Sequence, residues 1–352
     1  SIFFQSAWWE HYKPVEDYYS RLHVALTQGK SAQRLLVIHP IESTWLRFRP
    51  VISGLHTLNH TANHHEDVRN LDKMMADARD WLLKAHIDFD YGDEDMLYRL
   101  GAVRKGKKGP GLKLGKANYD AVLVLPQLTI RETTLNLLDK FQKAGGKVIF
   151  AGDAPEAVNG QASDGARKLA RGNAKVDFNR EAVTAACECC RDVFIQDSKG
   201  NEIESVVYML RRHKDRSYLF FCNTDRQKGF DQVRVKLNAS GKVMEWDAMT
   251  GEKYLIKSEK KKLTVAFETS LPPSGSRLFV VDPEPPKGLA KKPVLTEAGS
   301  QSLDRIESFQ MSEPNVLVLD CPEYKIGKED YQPPKEILKV DYQVRENLGV
   351  EH

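Results

Sequence analysis

YDAVLVLPQLTIRETTLNLLDKFQKAGGKVIFAGD, residues 119–153, is the stretch that decides the fold. It opens with a continuous apolar run, 119–125, halted by Pro126, and closes with a second run, 147–151, ending in Gly152 and Asp153. Between them 130–144 reads as an amphipathic helix closed by a Gly145-Gly146 cap. A strand that is apolar throughout is one covered on both faces, and parallel neighbours must be joined by a crossover, usually a helix. The stretch is therefore one strand–helix–strand unit of a parallel sheet.

The same alternation extends upstream. Val15, Tyr18, Tyr19, Leu22 and Leu26 recur at three and four, predicting a helix over 14–28 with Pro14 in its first turn and Gly29 as its terminator. Residues 34–39 read as a buried strand ending at Pro40, and 66–85 carry Val68, Leu71, Met75, Ala78 and Leu82 at helical spacing. A second strand at 87–91, a brief helix at 93–100 and a mobile, cationic loop rich in glycine and lysine at 101–116 complete the run. Repeated alternation of this kind predicts an open, mainly parallel α/β sheet of flavodoxin-like type.

Downstream, 159–190 is polar with mixed helical character. The pattern then changes to eight short β-rich segments between 192 and 281, separated by turn signals such as Ser240-Gly241 and Thr250-Gly251, which predicts an antiparallel β-sandwich or barrel. Residues 283–293 form a stiff linker rich in proline and lysine. The last stretch reads as an interdomain strap, with a strand at 316–320 and a helix or extended arm at 335–348. The expected division is an α/β domain at 1–190, an antiparallel β domain at 191–283, and linker and strap at 284–352.

Composition narrows the function classes. The 52 basic residues nearly balance the 49 acidic ones, so nothing in the charge calls for nucleic acid or an anionic membrane. Apolar runs fall far short of the ~20 residues of a membrane span. Three of the five cysteines, Cys187, Cys189 and Cys190, crowd into four positions, with Cys222 and Cys321 elsewhere. That is neither a disulfide framework nor a zinc pattern, and reads as reduced structural thiols. Their export history is left open, because Ser1 follows no start methionine or signal peptide, and a longer parent protein is expected.

Several stretches, taken in order, resemble a known family. FFQSAWWEHYKPVEDYYSRLHVALTQGK, RLLVIHPIESTW, AHIDFDYGDEDML and the 119–149 stretch resemble the region downstream of the catalytic barrel in α-L-rhamnosidase-like enzymes of glycoside hydrolase family 106 and their relatives. The later WDAMTGEKYLI, LPPSGSRLFVV and NVLVLDCPEYKI resemble the β-domain and strap of those proteins. The resemblance implies that the catalytic acid and base, with any calcium, belong to an upstream barrel, so no catalytic residue is carried over. It also implies a flavodoxin-like domain akin to class I glutamine amidotransferases without their active cysteine. Here Pro126-Gln127-Leu128 follows the third strand where that nucleophile would stand, and no cysteine precedes Cys187.

Five residues are singled out for carbohydrate contact: Trp8, Trp9, His39, Glu42 and Trp45. The first two lie in the densest aromatic and polar grouping, with His11, Tyr12, Asp17 and Arg21; indole faces stack on sugar rings, and the competing reading is that they staple a domain junction. The other three follow the first strand, and carboxyl ends of strands in open α/β sheets are where ligands bind; the competing reading is a rim histidine held by ordinary hydrogen bonds. The run His56, His60, His64 and His65 is read as solvated loop histidines instead of a metal face, and the acids Asp88, Asp90, Asp93, Glu94 and Asp95 as a strand end followed by a helix N-terminus. No cofactor is expected, since 101–116 matches neither phosphate-binding glycine pattern.

The function expected is thus a non-catalytic accessory portion of a glycoside hydrolase, with the upstream catalytic domain and its carbohydrate substrate as partners. The rival reading is a stand-alone carbohydrate-binding or oligomerisation module. A third, an independent hydrolase using His39 with Glu42 or an acid of 88–95, also stands open.

Overall fold

A computed structural model describes residues 6, 8–48, 66–106, 109–293, 299–300, 302, 308, 310–311 and 319–351. The chain divides into two compact units, Ser1–Pro293 and Val294–His352. The first unit begins with helix α1 (Lys13–Leu26), the two-residue strand β1 (Lys30–Ser31), β2 (Leu35–Ile38), α2 (Ile41–Arg47), α3 (Glu66–Lys84), β3 (Phe89–Gly92) and α4 (Glu94–Leu100). There follow β4 (Gly101–Gly106), β5 (Gly109–Leu114), β6 (Ala117–Tyr119), β7 (Ala121–Val124), β8 (Thr129–Ile130), α5 (Glu132–Lys143) and β9 (Lys147–Ala151). The hairpin β10 (Ala157–Val158) and β11 (Gln161–Ala162), α6 (Gly165–Arg171), β12 (Ala174–Val176) and α7 (Arg180–Cys187) close this half.

Five of these strands form one parallel sheet in the order β12-β9-β7-β2-β3. Successive side chains of a strand point to opposite faces, and both faces are apolar here. Leu36, Ile38, Val122, Val124, Val148 and Phe150 pack with Leu138 and Phe141 of α5 and Ala166 and Leu169 of α6. Their alternates Leu35, Val37, Ala121, Leu123 and Ile149 pack with Ala78 and Leu82 of α3 and Val183 and Cys187 of α7. Two-sided burial is why these strands read as unbroken apolar runs. Gly145, at φ +89°, ends α5 where the sequence placed its cap.

Residues 101–106 and 109–114 correct the expectation of a mobile loop: β4, β5 and β6 form an antiparallel three-stranded sheet. Val103, Leu112 and Leu114 join the α5-side core, and Arg104 and Lys113 alternate with them. Glycine and lysine content masked the period-two pattern. Gly111 has a structural reason as well, since a Cβ there would lie 2.4 Å from Asn118 Oδ1.

The second half of the unit contains β13 (Val193–Asp197), β14 (Val206–His213), β15 (Arg216–Asn223), β16 (Phe230–Leu237), β17 (Lys242–Trp246), β18 (Lys253–Ile256), β19 (Ser258–Lys261), β20 (Thr264–Leu271), β21 (Ser276–Asp282) and β22 (Ala290–Lys291). A seven-stranded sheet, β1-β14-β15-β21-β17-β18-β22, and a four-stranded sheet, β13-β16-β20-β19, share one core. Phe279 stands at its centre, with ring centroids 4.5 Å from Phe267 and 5.6 Å from Phe221.

The opposite face of the seven-stranded sheet is covered by α1. Leu22 and Ala25 pack on Tyr218, Met244, Leu278 and Val280, and Tyr18 hydrogen-bonds Ser276 at 2.6 Å. The helix that the sequence grouped with 1–190 therefore builds its contacts on the β-rich half. Strand β1 then pairs with β14, Lys30 opposite Arg212. Gly29 makes this possible: its φ is +56°, and a Cβ there would sit 2.0 Å from the Arg212 carbonyl oxygen.

The second unit contains α8 (Ile337–Leu348), so the arm anticipated at 335–348 is helical. Glu336 caps it by accepting the N–H groups of Leu338 and Lys339, and Gly349 ends it at φ +63°.

Candidate functional site

Ligands of open α/β sheets bind beyond the carboxyl ends of the strands, at the point where strand order reverses. In this sheet the reversal lies between β2 and β7: the chain goes from β2 outward to β3 on one side, then to β7, β9 and β12 on the other. His39 follows β2 directly, and Gln127 follows β7 by three residues.

His39 donates its backbone N–H to Gly92 O at 3.0 Å, extending the β2–β3 ladder, and its ring lies 6.0 Å from that of Tyr91. No hydrogen bond engages its imidazole among the described residues. Gln127 is only 7% exposed, yet neither its amide nitrogen nor its amide oxygen has a hydrogen-bond partner. Leaving a buried polar group unpaired costs about 1–3 kcal/mol. A ligand offering one donor and one acceptor would remove that cost twice over.

Helix α2 supplies the neighbouring groups. The helix forms because Ser43 anchors it. Ser43 Oγ accepts the N–H groups of Leu128 and Thr129 at 3.0 and 3.1 Å and donates to Thr129 O at 3.2 Å, locking α2 to the segment after β7. Glu42 is held by Arg131, whose Nε and Nη2 lie 2.7 and 2.6 Å from Oε1. Arg131 also donates its backbone N–H to Glu94 Oε2 at 2.8 Å and brings Nη1 to 3.7 Å from Asp95. Glu94 is fully buried, and burial pushes its carboxyl above the ordinary range. One arginine thus ties α2, α4 and α5 together behind the strand ends.

Trp45 exposes 60% of its surface on α2. His39 follows β2 and Glu42 and Trp45 lie on the helix after it, with Glu42 engaged in an ion pair. Trp8 and Trp9 are exposed in the short turn that enters α1, the helix that packs on the seven-stranded sheet. The acids of 88–95 have individual partners: Asp90 accepts from Tyr119 Oη at 2.8 Å, Asp93 caps α4 through the N–H groups of Asp95 and Met96, and Asp95 pairs with Arg99 at 2.7 Å. His56, His60, His64 and His65 lie outside the described residues, among which no group of three metal-ligating side chains occurs.

A concavity of about 320 Å³ opens between α1 and the seven-stranded sheet, lined by Tyr18, Phe220, Trp246 and Arg277. Its acid, Glu245, is 4% exposed and neutralised by Lys292 at 2.7 Å and Arg277 at 3.6 Å. Sequence reasoning missed Arg131 and this ion pair, and read Glu94 only as an acid at a helix N-terminus. No local signal marks them, because Arg131 and Glu42 are 89 positions apart and Glu245 and Lys292 are 47 apart.

No protein-family model and no curated protein matches the sequence. Among solved structures the chain is similar to a rhamnosidase from Novosphingobium sp. PP1Y, with a TM-score of 0.56 and 16% identity, over 85% of this chain and 27% of that one. It is also similar to α-L-fucosidase isoenzyme 2 from Paenibacillus thiaminolyticus, with a TM-score of 0.46, 11% identity and coverage of 78% and 51%. A β-galactosidase from Bacillus circulans sp. alkalophilus gives 0.46, 10%, 80% and 46%. The chain spans 27% to 51% of the length of these proteins. The fold is one found within glycoside hydrolases.

Proposed function

We propose that this chain is a non-catalytic accessory portion of a larger, α-L-rhamnosidase-like glycoside hydrolase, supporting an upstream catalytic barrel and lending its strand edge to one rim of the carbohydrate cleft. Numbered along the chain, the parallel strands run 2-1-3-4-5, the flavodoxin-like order. The two mainly antiparallel sheets that share one core after it support reading the β-rich half as a β-sandwich. These layers follow one another as the resemblance to α-L-rhamnosidase-like enzymes implies. After β7, Pro126 and Gln127 occupy the place where an amidotransferase would carry its cysteine.

The observation that carries this reading is the commitment of the acids at the candidate edge. Glycoside hydrolysis takes two carboxyl groups across the scissile bond, one protonated and one ionised. Here Glu42 is clamped by Arg131, Asp95 pairs with Arg99, and Glu94 is sealed beneath them. The groups left without a hydrogen-bond or ionic partner are an imidazole, a buried carboxamide and an indole face, which suit hydroxyls and sugar C–H surfaces and supply no carboxyl pair.

The test compares two proteins on an aryl α-L-rhamnoside: this chain, and the product of its complete reading frame. The reading expects no turnover by the chain and turnover by the full product, in which His39→Ala and Trp45→Ala raise KM more than they lower kcat. Robust turnover by the chain alone overturns it. A complete frame with no catalytic scaffold, whose chain still binds sugar, replaces it with the stand-alone module.

A further inference from the structure

Where α7 runs out, three cysteines in four positions acquire different surroundings. Cys187 and Cys190 are buried, whereas Cys189 is exposed. Lys147, at the start of β9, reaches across: its Nζ donates to Ala186 O at 2.7 Å and lies 3.4 Å from Cys189 Sγ. The carbonyl contact fixes the ammonium beside the sulfur. Cys190 Sγ is 3.9 Å from Cys189 Sγ, and the Arg34 guanidinium is bound to the Cys189 carbonyl.

The consequences for the two thiols are opposite. The Cys190 S–H beside it and the cations of Lys147 and Arg34 favour the Cys189 thiolate, holding its pKa well below the usual thiol range. Cys190, next to that thiolate and buried, is pushed far up and stays protonated. Burial likewise pushes Cys187 up to about 12. Reactive cysteines sit in electropositive, accessible surroundings of this kind, and buried ones are inert.

We propose that Cys189, with the Lys147 ammonium and the Cys190 thiol at its sulfur, is a modification site that forms a mixed disulfide with small-molecule disulfides. The thiolate attacks one sulfur of the disulfide RS–SR; the S–S bond breaks, a Cys189 S–SR bond forms, and RS⁻ leaves to take a proton from water. Cys189 sulfur is oxidised and the departing sulfur is reduced, so electrons balance without a further oxidant. Each tenfold gain in thiolate fraction comes with only about a threefold loss of intrinsic nucleophilicity, so the favoured thiolate wins below the ordinary thiol range. In the adduct the Cys189 charge is gone, and burial is what favours the Cys190 thiol and keeps it from displacing the RS group.

The experiment follows reaction of the whole chain with 5,5′-dithiobis(2-nitrobenzoate) and, for mass analysis, with hydroxyethyl disulfide. At mildly acidic pH one thiol per chain reacts in a fast phase; Cys189→Ser abolishes it, and Cys321→Ser, at the other exposed cysteine, leaves it intact. Lys147→Met slows the phase about tenfold there and much less in alkali, where the thiolate forms anyway, while Lys147→Arg, which keeps the charge, retains it. Intact mass shows one mercaptoethanol adduct, mapped to Cys189. The assignment is overturned if the fast phase survives Cys189→Ser, if folded Lys147→Met matches the parent at every pH, or if the product is an internal disulfide without adduct.

Discussion

His86 Nδ1 lies 3.1 Å from Glu202 Oε2, joining the end of α3 to the β-rich half across 116 positions of sequence. The other ring nitrogen is 3.2 Å from Ile203 O, and Arg191 approaches the same carboxylate, so the imidazole, fully buried, is held at both ends. His86 occupies the left-handed position after α3, at φ +53°, with its N–H on Leu83 O and that of Ile87 on Leu82 O. Glycine normally fills that position. A histidine stands there because its ring closes the joint between the parallel sheet and the β-sheets.

Removing the acid should therefore loosen the joint. Glu202→Ala is expected to lower stability by roughly 2 kcal/mol, since it strands the buried His86 and Arg191 groups. His86→Gly should cost less than His86→Ala, because glycine relieves the left-handed backbone that alanine retains. Urea unfolding of the three variants checks both statements.

Acid should erase the contribution of Glu202. Burial pushes its carboxyl up, but the hydrogen bond from His86 and the charge of Arg191 outweigh burial and hold it below the ordinary value. A lowered folded-state pKa gives stability that is present above the unfolded-state pKa and is lost as pH falls through the folded one. The gap between parent and Glu202→Gln, measured by denaturant midpoints, should be open at neutral pH and close in acid.

Asp88 should behave in the reverse sense. Burial, with Asp90 nearby, pushes its carboxyl up to about 6, against the opposing N–H of Phe89. The folded state then binds a proton that the unfolded state has released, so between the ordinary aspartate range and about pH 6 stability falls as pH rises. Asp88→Asn keeps an acceptor for Phe89 and is expected to gain roughly 1–2 kcal/mol near neutral pH and nothing in acid. Equal gains at both would contradict this account.

Gly29 is a local requirement for docking α1. Alanine there adds a left-handed strain of about 1 kcal/mol to a direct collision with the Arg212 carbonyl. Gly29→Ala should detach β1 from β14, seen as faster amide exchange at Lys30 and Ser31 and a lower melting temperature.

Gln127→Leu removes an amide whose two ends have no partner, so the free protein should become more stable by about 1 kcal/mol. If the strand edge contacts sugar in the full enzyme, the same change raises KM. A stabilised protein with unaltered KM would remove Gln127 from the rim while leaving His39 and Trp45 to be judged by their own variants.

The sequence by itself determined the parallel sheet, because strands such as 119–125 and 147–151, buried on both faces, must be apolar at every position, and the helices between them must carry one apolar stripe. It also determined the β-rich second half, whose short alternating strands are bounded by turn residues, and that His39, Glu42 and Trp45 follow the end of one buried strand. Tertiary structure alone decided that Glu42 belongs to Arg131, that 101–106 and 109–114 pair as strands against α5, that α1 covers the seven-stranded sheet, and that Cys189 differs from Cys187 and Cys190. These are matters of pairing between distant positions, and local periodicity reports which face of an element is apolar without reporting what that face meets.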